Sequence, residues 1–542
     1  MTDYIIHAPS RSILLPKSKQ ELVLALPKAR LASFGGKVVV QVYHDEENTI
    51  ALRQAGIDVP SPLEIYYSFK KVKGRFTAFD HQRDAAAFAS LHKRCHLLLP
   101  LGTGKSFTSI SAADAMIEMG VIKKVLILCP LSCMRPVWDD EIFTGFPDRS
   151  STIVYGTAKQ RVERLEEPVD FFISNHALLQ VAVEAKSIKD RTVYQLRPEF
   201  EKLKEIDLII FDESSMLRNA QTHMWHAMKV LLQEHTRLLM LSGYPCPSSP
   251  ENAWSQSMLV NPSKTPKYFG EWRRQVCYEE KRGQFSKWIP RKGSEELVFK
   301  LLQPAYHVDK SKVLDLPEMT IERREVELSK EQQAQYRKMH NQLVMEFRES
   351  GEKLTAVSAA DKMLKLRQIL IGSVKTGDGE YSDFEDIPRI KTILEIIEQS
   401  ENKVVVVSPF TGALHNVADA IRKKKYSVDI IEGSVDVKDR DRIIRSFQED
   451  KDPHVLVVQG QAVSHGVTLT AASVMIFLGP VTGNDQYQQL LGRLNRTGQK
   501  NRMVVFQLYA NSMETRLYDA LENAQNYQEA VMDLFKQEML SK

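Results

Sequence analysis

The distribution of hydrophobic and polar positions divides the chain into two similar stretches. In each stretch, short apolar runs are separated by segments with helical periodicity. Runs of this kind predict strands that are buried on both faces of a parallel sheet. The pattern therefore predicts two α/β units, each with a parallel sheet flanked by helices. The apolar runs are residues 96–99, 124–129, 171–174, 206–211 and 237–241 in the first stretch, and 403–407, 428–431, 455–458 and 474–478 in the second.

Two segments fall outside this alternation and predict additional structure. Residues 1–75 contain a strand pattern at Lys37–Tyr43 and a short helical pattern at 48–55, which predict a small α+β accessory domain. Residues 263–385 contain an alternating strand pattern at 321–328, are otherwise rich in helical patterns and end in an acidic stretch with glycine, which predicts a helical insertion followed by a linker. The predicted domains are residues 1–75, 76–262, 263–385 and 386–542.

Basic residues in these two segments leave two interpretations open. The cluster Lys70, Lys71, Lys73 and Arg75 is either a solvated linker or a contact with the DNA backbone. Between residues 272 and 292, aromatic side chains are interspersed with Lys and Arg, a composition that suits stacking and phosphate contacts on nucleic acid. The alternative for this second stretch is an amphipathic surface of the helical insertion.

The overall composition is typical of a globular protein with several domains. The chain has 542 residues, of which 43% are hydrophobic and 26% charged, and this length exceeds what one hydrophobic core supports. A net charge of +4 is compatible with nucleic-acid binding and does not establish it. The five cysteines form no C-x-x-C pair, which predicts reduced thiols and a cytoplasmic location, or a nuclear one in a eukaryote. No apolar run has membrane-spanning length, so no membrane association is expected.

A glycine-rich loop after the first apolar run is the strongest chemical signal in the chain. It lies between the predicted strand at 96–99 and a predicted helix at 107–119. Such a loop aims backbone N–H groups at a phosphate, and the following helix adds the partial positive charge of its N-terminus. Its lysine can reach the outer phosphates, and its serine hydroxyl can bind Mg²⁺. The candidate nucleotide-binding residues are Gly102, Thr103, Gly104, Lys105 and Ser106, with Leu99 in place of the first glycine of the general pattern.

Polar residues also follow two other predicted strands of the first stretch. Asp212 and Glu213 follow the run at 206–211, and Ser242 follows the run at 237–241. Ligands bind at the carboxyl ends of parallel strands, so these residues and the glycine-rich loop predict a single site. We expect Asp212 to hold Mg²⁺, and Glu213 to orient and deprotonate the water that attacks a phosphate.

Two further features extend this predicted site. Gln82, on a predicted helix before the strand at 96–99, has an amide that can match the donor and the acceptor of an adenine edge. Arg493 and Arg496 are three residues apart, a spacing that places both on one face of a helix. Two guanidinium groups on one face suit a phosphate in transfer, as in an arginine finger. A surface ion pair is the other interpretation of these arginines.

Together these motifs resemble those of superfamily-two helicases and translocases, and among them the Swi/Snf-type ATPases. The resemblance covers residues 76–542, and its most specific part is the run 489–499, which ends in Arg-Thr-Gly-Gln. It implies that Gln82 contacts adenine and that Gly466, in a segment similar to helicase motif V, belongs to the nucleotide site. The chain departs from the family pattern at Ser214-Ser215, at Tyr244 and at Ser464.

The resemblance implies both a fold and a mechanism. The expected fold is α/β, with two RecA-like lobes, a helical insertion and a small N-terminal α+β domain. ATP and Mg²⁺ are expected between the lobes, with residues 102–106, Asp212 and Glu213 in the first lobe and Arg493 and Arg496 in the second. Duplex or branched DNA is the expected partner, together with replication or recombination proteins, and the chain is expected to be a monomer.

Three classes of function remain open on the sequence alone. The first is a double-stranded DNA translocase that remodels forks or Holliday junctions, similar to phage helicases and small fork-remodelling enzymes. The second is a strand-separating helicase on DNA or RNA, and the third is an ATP-dependent binding module without motor activity. The Leu-Pro pair at 316–317 and the run 496–499 favour the first class over the second. The intact acidic pair, Asp212 and Glu213, argues against the third.

Overall fold

A computed structural model describes residues 4–69, 77–100, 102–188, 191–243, 246, 249–282, 285–308, 317–350, 356–375, 381–384, 387–463, 467–496 and 498–523. The chain divides into two compact units, Met1–Val313 and Leu314–Lys542. Some positions singled out in the sequence lie outside the described residues. They are Lys70, Lys71, Lys73, Arg75, Tyr244, Leu316, Ser464 and Gly466.

The first unit contains an N-terminal α+β region followed by a larger α/β region. Its strands are β1 (Ile5–His7), β2 (Ser12–Pro16), β3 (Arg30–Phe34), β4 (Lys37–Tyr43), β5 (Arg94–Leu98), β6 (Val125–Cys129), β7 (Ser151–Ile153), β8 (Phe171–Asn175), β9 (Val183–Ile188), β10 (Arg191–Leu196), β11 (Leu208–Asp212), β12 (Arg237–Ser242), β13 (Cys277–Arg282), β14 (Phe285–Pro290) and β15 (Ala305–His307). Its α-helices are α1 (Gln20–Val23), α2 (Glu46–Gln54), α3 (Pro62–Tyr66), α4 (Asp80–Leu91), α5 (Lys105–Glu118), α6 (Asp140–Gly145), α7 (Ala158–Leu165), α8 (Ala177–Ala182), α9 (His223–Leu231), α10 (Ala253–Val260), α11 (Phe269–Val276) and α12 (Ser294–Leu301). A π-helical segment, Met134–Asp139, precedes α6.

The first four strands form an antiparallel sheet in the order β1-β2-β4-β3. Ile13 and Leu15 of β2 and Val40 and Val42 of β4 are fully buried, because successive side chains of a strand point to opposite faces. The helix α2 covers that buried face with Leu52. The predicted strand at Lys37–Tyr43 is confirmed as β4.

The largest sheet of the first unit has seven parallel strands in the order β15-β5-β12-β11-β6-β8-β7. Every residue of β6 and β11 is buried, as their continuous apolar composition predicts. Because all seven strands run in one direction, their carboxyl ends lie at one edge of the sheet. The glycine-rich loop after β5 and the ends of β12 and β11 therefore meet at that edge, with β12 between the other two strands.

The second unit is a second parallel α/β structure. Its strands are β16 (Met319–Glu325), β17 (Ser373–Lys375), β18 (Tyr381–Asp383), β19 (Lys403–Ser408), β20 (Val428–Ile431), β21 (Val455–Gln459), β22 (Ala472–Phe477) and β23 (Met503–Tyr509). Its helices are α13 (Lys330–Ser350), α14 (Ala356–Ile371), α15 (Pro388–Glu398), α16 (Thr411–Lys423), α17 (Val437–Glu449), α18 (Gly460–Val463), α19 (Asn484–Leu494) and α20 (Ser512–Glu522). Six strands form one parallel sheet in the order β16-β23-β22-β19-β21-β20. The predicted fold class, parallel sheets flanked by helices in two lobes, is confirmed.

Residues 263–385 contain more strand than the sequence predicted. Besides helices, this stretch forms the hairpins β13–β14 and β17–β18, and it supplies β15 and β16 to the two parallel sheets. The strand β16 overlaps the strand predicted at 321–328. The other strands are short or rich in charged residues, so their composition does not separate them from helix surfaces. Trp272, one of the aromatic residues considered for nucleic-acid stacking, is only 2% exposed. Its indole N–H donates to the Pro250 carbonyl over 3.2 Å, so Trp272 belongs to the core.

Candidate active site

The glycine-rich loop connects β5 to α5, as the sequence predicts, and two of its glycines are required by geometry. Gly102 and Gly104 have φ values of +89° and +83°, a backbone conformation that other residues rarely adopt. A Cβ atom at Gly104 would also lie 2.2 Å from Nε2 of Gln82. The loop can therefore keep this shape only with glycine at residue 104.

The side chain of Gln82 lies against this loop. It is 3% exposed, and its Nε2 donates to the carbonyl oxygen of Thr103 over 3.1 Å, while its Oε1 accepts from the backbone N–H of Phe79. Thr103 is buried, and its hydroxyl donates to the Pro100 carbonyl over 2.8 Å. The hydrogen bonds of Gln82 and Thr103 thus stabilise the conformation of the loop.

Lys105 is the first residue of α5, and its ammonium group is the most unusual charge in the site. Its Nζ is buried and has no hydrogen-bond partner among the residues that the structure describes. Ser106 follows on the first turn of the helix and is half-buried. A buried ammonium without a partner is costly, and an anionic phosphate at the helix N-terminus would supply the missing partner.

Asp212, the last residue of β11, lies close enough to Lys105 for the two charges to interact. Burial and the neighbouring Glu213 carboxylate together raise the pKa of Asp212 to about 6, although the Lys105 ammonium and the Trp138 indole act to lower it. Removing a carboxylate from water disfavours its charged form, and a cation nearby restores it. A divalent cation bound at Asp212 would have the same effect, so this buried carboxyl group fits the role of a metal ligand.

Glu213 follows Asp212 in a strained backbone conformation. Its φ of +58° and ψ of +59° lie in the left-handed region, which is unfavourable for a non-glycine residue. The turn lets the backbone N–H of Glu213 donate to Oδ1 of Asp212 over 3.1 Å. Strain of this kind persists only where the surrounding structure enforces it.

The two predicted arginines of the second unit lie beside residues 467–468. Nη1 of Arg493 donates to the Val467 carbonyl over 3.3 Å, and Nη1 of Arg496 donates to the Thr468 hydroxyl over 3.0 Å. Arg493 is 5% exposed. Both guanidinium groups are therefore held by the segment that the sequence likened to motif V.

The prediction that Arg493 and Arg496 share one helix face is wrong. The helix α19 ends at Leu494, and Asn495 leaves the helical conformation with a ψ of 74°. Arg496 consequently lies in the bend after the helix. A three-residue spacing predicts a shared face only where the helix continues through both positions.

Two family models match the chain, and together they cover most of both units. A model described as SNF2-related domain matches residues 81–372, and a model described as helicase conserved C-terminal domain matches residues 388–498. The chain belongs to the SNF2-related family. The match supports the predicted DNA-dependent ATPase and the use of ATP.

Similar proteins are only distantly related to this SNF2-related chain. The uncharacterized ATP-dependent helicase MG018 of Mycoplasma genitalium is 28% identical over 58% of this chain, and human DNA annealing helicase and endonuclease ZRANB3 is 24% identical over 81% of it. This chain spans 29% and 39% of the lengths of those two proteins. The Sulfolobus solfataricus SWI2/SNF2 ATPase core in complex with dsDNA is 21% identical, with 84% of this chain and 92% of that chain covered and a TM-score of 0.39.

The variant residues of this SNF2-related chain have specific partners that sequence reasoning did not find. Ser214, directly after the acidic pair, is fully buried and donates to Oε1 of Gln256 over 3.0 Å. His176, the residue after β8, lies with Nε2 2.9 Å from the Asp212 carbonyl and packs on the Phe211 ring. The only sequence signal for His176 was its position just beyond a predicted strand.

Among the described residues, every helix is too short or too polar to cross a lipid bilayer. All five cysteines are free thiols, and four of them are buried. Burial raises the pKa of Cys95 and of Cys246 to about 12, so neither is a thiolate near neutral pH.

Proposed function

We propose that this chain is an ATP-dependent translocase on double-stranded DNA that remodels branched DNA such as forks and Holliday junctions. The observation that carries the nucleotide part of the proposal is the buried ammonium of Lys105, which lies beside Asp212 and has no hydrogen-bond partner in the described part of the chain. Both lie at the carboxyl edge of a parallel sheet, where such folds bind nucleotides. The SNF2-related match over residues 81–372 supports a DNA-dependent motor.

The residues of the first unit have distinct roles in this proposal. Backbone N–H groups of residues 102–106 and the Lys105 ammonium bind the phosphates of ATP. Ser106 and Asp212 would hold Mg²⁺, which offsets phosphate charge when bound. Glu213 orients the attacking water and accepts its proton as the oxygen bonds to the γ-phosphorus and the bond to the β-phosphate oxygen breaks. The products are ADP and inorganic phosphate.

Residues of the second unit complete the chemistry that we propose. The guanidinium groups of Arg493 and Arg496 stabilise the negative charge that develops on the γ-phosphate. They therefore stabilise the transition state more than bound ATP. Their hydrogen bonds to Val467 and Thr468 support this role, because preoriented groups lose little freedom during reaction. Gly466, adjacent to that segment, is proposed to belong to the same site.

The branched-DNA part of the proposal rests on the family and on the names of its relatives. Human ZRANB3, which is matched over 81% of this chain, is named a DNA annealing helicase. The run 496–499 supports a Swi/Snf-type motor rather than a strand-separating one. An accessory N-terminal region further suits a fork-remodelling enzyme that acts beside replication or recombination proteins.

One set of assays tests the proposal. We expect ATP hydrolysis to be stimulated by duplex and branched DNA more than by single-stranded DNA or RNA. We also expect the purified chain to convert a four-way junction by branch migration while leaving a simple partial duplex annealed. Displacement of the partial duplex at the rate of junction conversion would instead assign a strand-separating helicase. Stimulation by single-stranded RNA alone would overturn the DNA assignment.

A further inference from the structure

The N-terminal region is joined to the phosphate-binding helix by a buried hydrogen-bond network. The hydroxyl of Tyr67, which follows α3, donates to Oδ2 of Asp114 over 2.6 Å. Asp114 lies on α5, whose first residue is Lys105. Nε of Arg149, in the loop before β7, donates to the other oxygen, Oδ1, over 2.6 Å. The Asp114 carboxylate therefore ties α5 to two separate segments.

Burial makes each of these bonds consequential. Tyr67 is 9% exposed and Asp114 is 2% exposed, and the Arg149 side chain is 14% exposed. Burial raises the pKa of Tyr67, and the Asp114 carboxylate raises it further, so this hydroxyl keeps its proton and remains a donor. A buried carboxylate that loses one hydrogen-bond donor cannot replace it with bulk water. The loss therefore favours a change in the position of α5, which carries Asp114.

A second polar contact holds the same N-terminal region against the central strand of the site. Glu46, the first residue of α2, forms an ion pair with Arg237, the first residue of β12. Nη1 of Arg237 also donates to the Ser90 carbonyl on α4 over 3.0 Å. Leu63 and Tyr67 pack into the same hydrophobic core as Ile110 of α5. Contacts at Glu46 and at Tyr67 thus join the N-terminal region to the rest of the first unit.

We propose that Tyr67 is a positioning residue for the nucleotide site, which makes the N-terminal region a working part of the ATPase. This inference rests on the proposed function. Asp114 is nine residues beyond Lys105, or about 13 Å along the helix axis. A rigid helix transmits a shift at Asp114 to its N-terminus, where Lys105 and Ser106 bind the phosphates. Without the Tyr67 hydroxyl, Asp114 keeps its bond to Arg149 but loses its bond to the N-terminal region, and α5 shifts.

The chain provides a matched control in the adjacent residue. The Tyr66 hydroxyl lies 3.0 Å from Nδ1 of His44, which in turn contacts the Pro60 carbonyl at 2.9 Å. These contacts stay within the N-terminal region and do not reach α5. Y66F and Y67F therefore remove the same atom from neighbouring positions, and only Y67F removes a bond to the phosphate-binding helix.

The experiment compares Y66F and Y67F in the full chain. Equilibrium binding of a fluorescent ATP analogue and the KM for ATP are measured together, with urea unfolding as the readout of stability. We expect Y67F to weaken nucleotide binding and to raise KM by about tenfold, the effect of losing a hydrogen bond to a charged group. We expect Y66F to change both by less than about twofold, although both variants lower stability to a similar extent.

A double-mutant cycle with D114N identifies the route of the effect. If Tyr67 acts through Asp114, Y67F adds little to the weakened binding of D114N, because the interaction is already broken. Equal nucleotide affinities of Y66F and Y67F, or full additivity in the cycle, would overturn the inference. Failure of the proposed function has a different signature, since the wild-type chain would then bind the analogue but show no DNA-stimulated hydrolysis, or would not bind it at all.

Discussion

The Gln82 side chain donates a hydrogen bond to the Thr103 carbonyl over 3.1 Å, so one amide shapes the phosphate-binding loop from within. Its oxygen accepts from the Phe79 backbone N–H at the start of α4. The nitrogen and the oxygen of the carboxamide thus each form a hydrogen bond in this structure. The role that the sequence implied for Gln82, contact with adenine, remains a prediction, and the amide nitrogen has a second N–H besides the one that bonds to Thr103.

Replacing this amide with a carboxylate tests both its bond to Thr103 and its predicted contact with adenine. Q82E retains an acceptor for the Phe79 N–H but loses the donor, and it places an oxygen against the Thr103 carbonyl. We expect the KM for ATP to rise by at least about tenfold and the preference for ATP over GTP to fall. The measurement is steady-state hydrolysis with both nucleotides.

The same exchange at Gln160 provides the control for Q82E. The Gln160 Oε1 accepts from the Thr157 backbone N–H over 2.9 Å at the start of α7, far along the chain from the glycine-rich loop. Q160E should leave both KM values unchanged. If Q82E retained wild-type selectivity and KM, Gln82 would have neither role.

Lys105 and Glu213 are expected to be essential for hydrolysis and dispensable for DNA binding. K105A removes the buried cation at the helix N-terminus, and E213Q removes the proposed base while keeping the side chain's size. Each should lower DNA-stimulated turnover by more than about a hundredfold, with duplex affinity measured by fluorescence anisotropy changing little. K123A, which removes an exposed lysine of the same unit, should behave as wild type. Substantial turnover in K105A or E213Q would refute the assigned roles.

The site of the first unit was largely predictable because its residues follow strands. Gly102, Lys105 and Asp212 each occur just after an apolar run, and parallel strands bring such positions to one edge. What the sequence did not reveal is contact between distant residues. Ser214 and Gln256 are 42 positions apart and Tyr67 and Asp114 are 47 apart; neither pair produces a periodic signal.

Helix ends and edge strands account for the clearest errors in the sequence interpretation. The helical pattern around residues 484–494 continues in composition through Arg496, yet the backbone turns at Asn495, and no periodicity marks that turn. The strand β15 has only the three residues Ala-Tyr-His at the edge of its sheet. Edge strands need only one buried face or none, so their hydrophobic signal is weak.

Arg496 should act on the rate of hydrolysis rather than on nucleotide affinity. Its guanidinium is held by the Thr468 hydroxyl, and an arginine that stabilises the transition state contributes little to bound ATP. We expect R496A to lower kcat by about a thousandfold, the lower end for arginine fingers, with a nearly unchanged Kd for ATP. R442A, at a side chain 73% exposed on α17 with only a surface ion pair to Asp439, is the control. Parallel losses in kcat and affinity would indicate a binding role instead.

His96 should make the first unit less stable in acid. It is fully buried on β5, and neither ring nitrogen has a hydrogen-bond partner among the described residues. Burial lowers the pKa of His96 to about 3. Below about pH 6.5, the His96 imidazole is therefore protonated in the unfolded chain but stays neutral in the folded chain. The free energy of unfolding consequently falls as the pH falls from that value toward 3.

The variant H96L isolates this contribution to acid stability. All five tryptophans lie in the first unit, so their fluorescence during urea unfolding reports on that unit. Between pH 6.5 and 4, the free energy of unfolding should fall less steeply in H96L than in wild type, by up to about 1.4 kcal/mol per pH unit. H235L, which removes an exposed histidine of the same unit, should retain the wild-type slope. If the slopes of H96L and wild type coincided, the buried imidazole would be protonated in the folded state or paired with a group that keeps its charge.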